Sequence, residues 1–192
     1  MIKVEKITKR YNDLVVFENY TTTFKKGEIT AIIGKSGRGK TTLLRLLMGL
    51  ETVDSGRITG IDSKKISVMF QEDRLIEKLS IYQNICLPHM NKGQLPSMEH
   101  IEKIIKLLDI EADIKKKTEE LSGGMKRRVA IARAMLAKFD TLILDEPFKG
   151  LDEKTKLITM DFVKKYSKGK TVILVTHDKD EIDYLNCNVI KL

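Results

Sequence analysis

A glycine-rich segment in the first quarter of the chain has the spacing of a phosphate-binding loop. Residues 34–41 read Gly-Lys-Ser-Gly-Arg-Gly-Lys-Thr, which fits the pattern G-x-x-x-x-G-K-[ST]. In this pattern backbone N–H groups surround phosphate oxygens, the lysine meets the terminal phosphates, and the last hydroxyl reaches Mg²⁺. The pattern also occurs by chance, but a strand before it and a helix after it favour the phosphate site. The predicted nucleotide-binding residues here are Gly34, Lys35, Ser36, Gly37, Arg38, Gly39, Lys40, Thr41 and Thr42, with Thr41 also predicted to meet the metal.

Two adjacent carboxylates, Asp145 and Glu146, follow an apolar run at 141–144. Such a pair can hold a divalent metal and activate a water, as phosphoryl transfer to water requires. Alone, the two acids could equally be solvated or cap the next helix. Together with a phosphate loop, they favour Asp145 as a Mg²⁺ ligand and Glu146 as the general base, a role that typically contributes ~10²–10⁴-fold.

A third segment, residues 121–125, reads Leu-Ser-Gly-Gly-Met and precedes a predicted helix over 125–137. Ser122 could simply be the N-cap of that helix. Alternatively, Ser122 and the N–H groups of Gly123 and Gly124 form a second anion site at the helix N-terminus. The sequence alone does not say whose phosphate such a site would bind.

The elements that must position these residues are buried strands rich in β-branched residues. Four apolar runs predict strands of a parallel sheet covered on both faces, namely 29–33, 66–70, 141–144 and 171–176. A polar group follows each run: the phosphate loop, Gln71, the pair Asp145 and Glu146, and His177. Ligands of open α/β sheets bind at the carboxyl ends of the strands, so we expect these side chains to converge on one edge.

Other strand-like pieces at 3–8, 14–24 and 56–61 predict an antiparallel flank beside this sheet. Between 75 and 137 the pattern is helical, with one helix started by Pro96 and Ser97. The predicted fold is therefore α/β, a P-loop NTPase core with a mostly parallel sheet, an antiparallel β flank and an inserted helical subdomain. We expect one domain over 1–192, with 1–75 and 138–192 as the core and about 76–137 as the helical subdomain.

The three motifs occur in the order found in the ATP-binding subunits of ABC transporters, which nearly the whole chain resembles. The resemblance implies ATP and Mg²⁺ as ligands and ATP hydrolysis as the activity. Gln71 and His177 match the glutamine loop and the switch histidine of that family, so both are expected to be catalytic, with Gln71 also a metal ligand. Tyr11 matches the aromatic that stacks on adenine, although Tyr20 and Tyr82 are equally available aromatics.

The resemblance also implies a second cassette subunit, so that two cassettes enclose two ATP molecules head to tail. Ser122, Gly123 and Gly124 would then bind the phosphate held by the partner, which we take to be an identical chain, with a different cassette as the alternative. Asp152 matches the acidic position of the dimer-facing loop, and its alternative role is the N-cap of a helix over 153–167. Three residues depart from the commonest family form: Met125, Lys149 and Gly150.

The resemblance implies a separate transmembrane permease subunit as the other partner. No apolar stretch of this chain approaches the ~18 residues of a membrane span, so any membrane part is expected in another chain. Its docking seat is predicted near Leu75, Ile76, Leu79 and Tyr82. The N-terminus lacks the apolar region of a signal peptide, which predicts a cytoplasmic protein, peripheral on the inner face of the cell membrane. Cys86 and Cys187 lie far apart without a C-x-x-C pattern, so they predict neither a zinc site nor a disulfide framework.

An ABC-type ATPase that acts on nucleic acid or in another non-transport complex is the alternative function. The net charge of +8 is compatible with a nucleic-acid partner, but the lysines are dispersed among acidic residues. Zinc cysteines, a long coiled coil and a second cassette are also missing, so no nucleic-acid partner is expected. A regulator that does not turn over is disfavoured by Glu146. The transported substrate stays open: residues 70–75 resemble the importers of nitrate, sulfonate and taurine, with lipoprotein-release and peptide-export types as alternatives.

Overall fold

The computed structural model describes residues 1–90 and 95–192. Its strands are β1 (Ile2–Tyr11), β2 (Leu14–Phe24), β3 (Ile29–Ile33), β4 (Ser55–Thr59), β5 (Ile66–Met69), β6 (Thr141–Asp145), β7 (Thr171–Val175) and β8 (Asn188–Lys191). Its α-helices are α1 (Lys40–Leu47), α2 (Ile81–Cys86), α3 (Met98–Leu107), α4 (Gly123–Leu136), α5 (Glu153–Tyr166) and α6 (Lys179–Leu185). Within these ranges no helix combines the length and the apolar character that crossing a membrane requires.

The antiparallel flank is a three-stranded sheet in the order β2-β1-β4. β1 pairs antiparallel with both neighbours, and Ile2 lies opposite Phe24 at one end of the β1–β2 pair while Tyr11 lies opposite Leu14 at the other. Ile2 and Val4 are buried with the exposed Lys3 between them, which is the period of a strand with one face on a core, and a register shift between Val4 and Ile7 makes Ile7 the next buried residue. The predicted flank is confirmed, and β1 is longer than expected, so that Tyr11 ends the strand.

The larger sheet has five strands in the order β5-β6-β7-β3-β8. β3 pairs in parallel with β7 and with β8. All five residues of β7 and the first four of β6 are buried, as expected for strands covered on both faces. The predicted α/β fold with a parallel sheet is confirmed, although the exposed edge strand β8 was not predicted.

The chain divides into two compact units. The first unit comprises residues 1–66, 139–143 and 169–192, and it contains the antiparallel sheet, β3, α1, β7 and β8. The second unit comprises residues 67–138 and 144–168, and it contains helices α2 to α5. The segment 76–137, proposed from the sequence as the helical subdomain, lies within the second unit, which also includes α5.

The helices of the second unit pack through the apolar faces that the sequence pattern predicts. Ile101, Ile104 and Ile105 of α3 are at most 2% exposed. Ser97 starts α3, because its Oγ accepts a hydrogen bond from the backbone N–H of His100. α4 begins at Gly123 rather than at Met125, so the two glycines form its first turn.

A wholly buried asparagine, Asn84 on α2, organises the loop before that helix. Its Oδ1 accepts from the N–H of Ile76 at 2.9 Å, and its Nδ2 lies 3.0, 3.2 and 3.1 Å from the carbonyl oxygens of Ile76, Leu79 and Ser80. One amide therefore satisfies several backbone groups of residues 76–80. Because buried backbone groups need partners, the side chain fixes the path of this loop.

Candidate functional site

The phosphate loop lies in the first unit, between β3 and α1, as predicted. Gly39 caps α1 with φ of 90° and Gly37 has φ of 79°, both in the left-handed region that favours glycine. A Cβ atom on Gly39 would lie 2.6 Å from Val16 Cγ1 and 2.9 Å from Phe17 Cζ. Backbone conformation and space therefore both favour glycine at this position. The tight turn points the N-terminus of α1 at the loop, where the helix dipole favours an anion.

The Lys40 side chain reaches back across this loop. It is 9% exposed, and its Nζ donates to the carbonyl oxygens of Gly34 at 2.7 Å and Lys35 at 3.0 Å. Thr41 is exposed and Thr42 is half-buried. The exposed residues of the loop are Lys35, Ser36, Gly37 and Arg38. The Lys40 side chain thus lies beside exposed loop residues, whose backbone N–H groups can bind an anion.

Tyr11 lies beside α1, because its hydroxyl donates to the Glu51 carboxylate and lies near the Thr42 side chain. Burial, followed by the bond to the Glu51 carboxylate, raises the pKa of Tyr11. Lys9 Nζ lies 5.0 Å from the centre of the Tyr11 ring. The other two candidates differ: Tyr20 packs on Phe17, and Tyr82 belongs to the second unit. Of the three tyrosines, Tyr11 is thus the one that the structure holds against the helix of the phosphate loop.

His177 is exposed and lies just beyond the end of β7, in the first unit, as predicted. The buried residue before it, Thr176, donates to Glu181 at 2.5 Å and accepts from the N–H of Asp178 at 3.1 Å. These bonds fix the turn on which the imidazole is carried.

The second unit brings Gln71 and Glu146 together. Gln71 Nε2 donates to Glu146 Oε2 at 3.1 Å, and Lys149 Nζ lies 2.8 Å from the same oxygen. The Glu146 side chain is only 17% exposed, and its backbone has φ of 49°. Asp145 ends β6 and is half-buried. The ion pair between Lys149 and Glu146 was not predicted, because the sequence shows only that Lys149 departs from the commonest family residue at its position.

Arg127 is a further residue of this cluster that sequence reasoning missed. Its guanidinium donates to the carbonyl oxygens of Gln71 at 2.7 Å and Glu146 at 3.1 Å and to the Asp73 carboxylate at 2.6 Å. The run 126–128 reads Lys-Arg-Arg, which resembles a solvated basic helix face. Only the burial of Arg127, which is 7% exposed, distinguishes it from such a face.

Ser122 is the N-cap of α4, and its Oγ accepts from the N–H of Met125 at 3.3 Å. Ser122 and Gly123 are exposed, while Gly124 approaches the Leu151 side chain, where an added Cβ would lie at 3.6 Å. The capping bond uses a lone pair of the hydroxyl, whose O–H remains a donor. The capping role and an anion-binding role are thus geometrically compatible.

Asp152 is exposed and caps α5. Its carboxylate accepts from the N–H of Thr155 at 3.0 Å and from the Thr155 hydroxyl at 2.6 Å. These bonds hold the pKa of Asp152 below its ordinary value. The structure thus shows the N-cap role for this side chain, and its place in a dimer-facing loop stays a prediction.

The residues predicted to meet Mg²⁺ offer oxygen atoms, which are the ligands that this hard cation prefers. They are the Thr41 hydroxyl, the Asp145 carboxylate and the Gln71 amide, whose Nε2 is turned to Glu146. In the described ranges, no group of three or more His, Cys, Asp or Glu side chains could hold a metal by itself. Taken singly, each of these oxygen donors suits a cation that keeps waters and binds substrate phosphates.

Comparisons with known proteins identify relatives over most of the chain. A model of the ABC transporter family matches residues 17–149. An Fe(3+) ions import ATP-binding protein of Fusobacterium nucleatum is 37% identical over 193 residues, which cover 94% of this chain and 52% of that protein. A methionine import ATP-binding protein of Clostridium tetani is 35% identical over 210 residues, covering 100% of this chain and 66% of that protein.

Among solved structures, a dimeric ATP-binding cassette in a post-hydrolysis state with ADP and Pi superposes with a TM-score of 0.86. It is 30% identical, and the alignment covers 100% of this chain and 94% of that chain. The fold is therefore that of the cassette, while the chain spans only about half to two thirds of the curated relatives named above.

Proposed function

Because the chain belongs to the ABC transporter family, we propose that it binds ATP with Mg²⁺ and hydrolyses it to power transport through a separate membrane partner. The observation that supports this best is the hydrogen bond between Gln71 and Glu146. A water that attacks a phosphate needs a base to accept its proton and a second group to orient it. Glu146 supplies the base, and the Gln71 amide, which is hydrogen-bonded to Glu146, supplies the group that orients the water.

The phosphate end of ATP binds to the loop from Gly34 to Thr42 in this proposal. Backbone N–H groups of the loop and the N-terminus of α1 meet the phosphate oxygens. Lys40 exchanges its bonds to the Gly34 and Lys35 carbonyls for the terminal phosphates. His177 contacts the γ-phosphate, and Tyr11 stacks on the adenine.

Mg²⁺ would be held by Thr41, by Asp145, partly through water, and by the Gln71 amide oxygen. When bound, the cation neutralises charge that develops on the phosphate oxygens. The residues of this chain contribute position: Asp145 is fixed at the end of a buried strand, and Glu146 follows it directly.

We further propose that a second cassette, taken to be an identical chain, completes the site. The support is that Ser122 and Gly123 are exposed at the start of α4, where a helix N-terminus attracts an anion. The solved relative is itself dimeric. In a head-to-tail pair, Ser122, Gly123 and Gly124 bind the γ-phosphate held by the partner, and Asp152 lies in the loop that faces it.

The membrane partner is proposed to dock at residues 75–82, which places the protein on the inner face of the cell membrane. Ile76 is 49% exposed, and Leu75, Leu79 and Tyr82 are partly exposed. Since the relatives described above are named as import proteins, we propose import as the direction of transport.

The test compares the wild-type chain with Glu146→Gln and with Glu153→Gln, an exposed acid at the start of α5. ATP turnover is measured together with molecular size in ATP and Mg²⁺. We expect Glu146→Gln to lose ATP turnover and to form a trapped dimer, and we expect Glu153→Gln to behave like the wild type. Normal turnover in Glu146→Gln would show that another group is the base, and a wild type that neither hydrolyses nor binds ATP would overturn the proposed function.

A further inference from the structure

We propose that Arg127 is a positioning residue that holds the Gln71 loop and the backbone of Glu146 in their working arrangement. The proposal rests on the proposed hydrolytic function of this cluster. Arg127 acts through its neighbours, because its contacts are with two backbone carbonyls and one carboxylate rather than with the groups assigned to the water.

The guanidinium of Arg127 joins three segments of the second unit. It projects from α4, which is the helix that Ser122 caps, and it is 7% exposed. One of its nitrogens, Nη1, lies 2.7 Å from the Gln71 carbonyl oxygen and 2.6 Å from Asp73 Oδ1, and the other, Nη2, lies 3.1 Å from the Glu146 carbonyl oxygen. The segment after β5 and the segment after β6 are thus tied to the same side chain.

The bond to the Glu146 carbonyl matters because of the backbone at that residue. Glu146 has φ of 49°, a left-handed conformation that costs energy for any residue with a Cβ. Such conformations persist when surrounding contacts over-determine them. Arg127 supplies one of these contacts, and it does so on the residue whose carboxylate must face the attacking water.

The bond from Arg127 to the Gln71 carbonyl fixes the backbone of Gln71, the second member of the Gln71–Glu146 pair, in the same way. Gln71 reaches the Glu146 carboxylate with its side chain, so a shift of its backbone would lengthen the 3.1 Å bond between them. Arg127 therefore sets both ends of the Gln71–Glu146 pair. Its charge is balanced by Asp73, as a buried charge must be.

Arginine is suited to this task and lysine is not. A planar guanidinium presents donors in a fixed fork, so that two carbonyls and a carboxylate can be bonded at once. A lysine ammonium at 127 could still pair with Asp73, but a single flexible point charge does not reproduce the bridge. Arg127→Lys thus keeps the charge that balances Asp73 but loses the bridge that positions Gln71 and Glu146.

Arg133 provides a matched control on the same helix. It donates to the backbone carbonyls of Asp73 at 2.7 Å and Arg74 at 2.8 Å. Arg133→Lys therefore disturbs the same loop from the same helix without touching the bonds to Gln71 and Glu146.

The experiment measures ATP turnover, thermal stability and amide hydrogen exchange for the wild type, Arg127→Lys and Arg133→Lys. We expect kcat of Arg127→Lys to fall about 10- to 100-fold, the effect of a misplacement near 1 Å. Its KM for ATP should stay within about twofold, because the phosphate loop is unchanged. Exchange in residues 71–74 and 146–149 should rise together in Arg127→Lys, and kcat of Arg133→Lys should stay within about twofold of the wild type.

Two results would overturn the proposal. One is an Arg127→Lys protein with wild-type kcat, and the other is unchanged exchange in both segments. A melting temperature lowered equally in both variants, with kcat per folded molecule preserved, would show a structural role only. The exchange measurement needs no turnover, so it tests the positioning role even if the wild-type chain does not hydrolyse ATP. A wild-type chain without ATP hydrolysis would count against the proposed function instead.

Discussion

Removing the Lys149 ammonium should make Glu146 a more effective base. Lys149 Nζ lies 2.8 Å from Glu146 Oε2, the same oxygen that accepts from Gln71. Both donors stabilise the negative charge of the carboxylate, so the pair with Lys149 must weaken when Glu146 accepts a proton from water. The Lys149→Met variant removes one donor and keeps a side chain of similar length.

The size of the effect follows from the exposure of the pair. The Lys149 side chain is 63% exposed, and the Glu146 side chain is 17% exposed. Ion pairs with an exposed partner contribute about 0.2–1 kcal/mol, because water screens them. If breaking the pair is part of the barrier, kcat of Lys149→Met should rise about 1.4- to 5-fold.

The assay is ATP turnover of Lys149→Met beside Lys154→Met at low and high salt. Lys154 is a fitting control because it is 77% exposed and pairs with Asp109 at 3.2 Å in the same unit. The gain in kcat should shrink as added salt screens the wild-type pair, since the Debye length falls from about 10 Å at 0.1 M to about 3 Å at 1 M. A lower kcat in Lys149→Met than in Lys154→Met would refute the reasoning, because Lys149 would then assist the reaction rather than restrain the base.

Three further predictions concern the phosphate loop, the buried asparagine and the half-buried thiol. Lys40→Ala should weaken ATP binding about 10- to 100-fold, through the loss of charge-assisted bonds to phosphate, when titrated with a fluorescent analogue beside Lys26→Ala. Asn84→Ala should destabilise the fold by about 1–3 kcal/mol, because the N–H of Ile76 loses its acceptor and the carbonyl oxygens of the loop each lose one of their donors, and Asn84→Asp should restore little in a denaturant titration. Burial, followed by the nearby Glu181, raises the pKa of Cys187 to about 11 from an ordinary 9.0. The protonated thiol therefore stabilises the folded state below pH 9, and this contribution is lost as the pH rises through about 11. The melting temperature should fall more over this pH interval for the wild type than for Cys187→Ala. Equal falls in the two proteins would contradict the prediction.

The parallel core could be predicted from the sequence because its strands are short and apolar on both faces. β3, β6 and β7 are runs of mostly buried residues, and a polar group lies at or directly after the end of each. β5 alternates between buried and half-buried residues and ends two residues before Gln71. β8 was missed because Asn188–Lys191 is an edge strand with mostly exposed residues, which has no comparable pattern. α2 and α6 are too short for a helical period to be visible in the sequence.

The residues that could take part in the chemistry could be predicted from the sequence, but the contacts that hold them in place could not. Glycine spacing and adjacent acids are local patterns, and they identified the phosphate loop, Asp145 and Glu146 as candidates. The Arg127 bridge joins residues distant in sequence, and a buried arginine has the same letter as a solvated one. The left-handed backbone of Glu146 is equally invisible, since a non-glycine residue gives no local signal for positive φ.

The buried Asn84 amide has a consequence for whatever binds the loop before α2. Since one side chain satisfies the backbone of Ile76, Leu79 and Ser80, the loop has already lost its conformational freedom before any partner arrives. Binding then requires little further ordering, which is how pre-organisation raises affinity without adding contacts. A change at Asn84, a residue that no partner could touch, would therefore alter the affinity of the exposed Ile76 surface by adding an entropic cost to association.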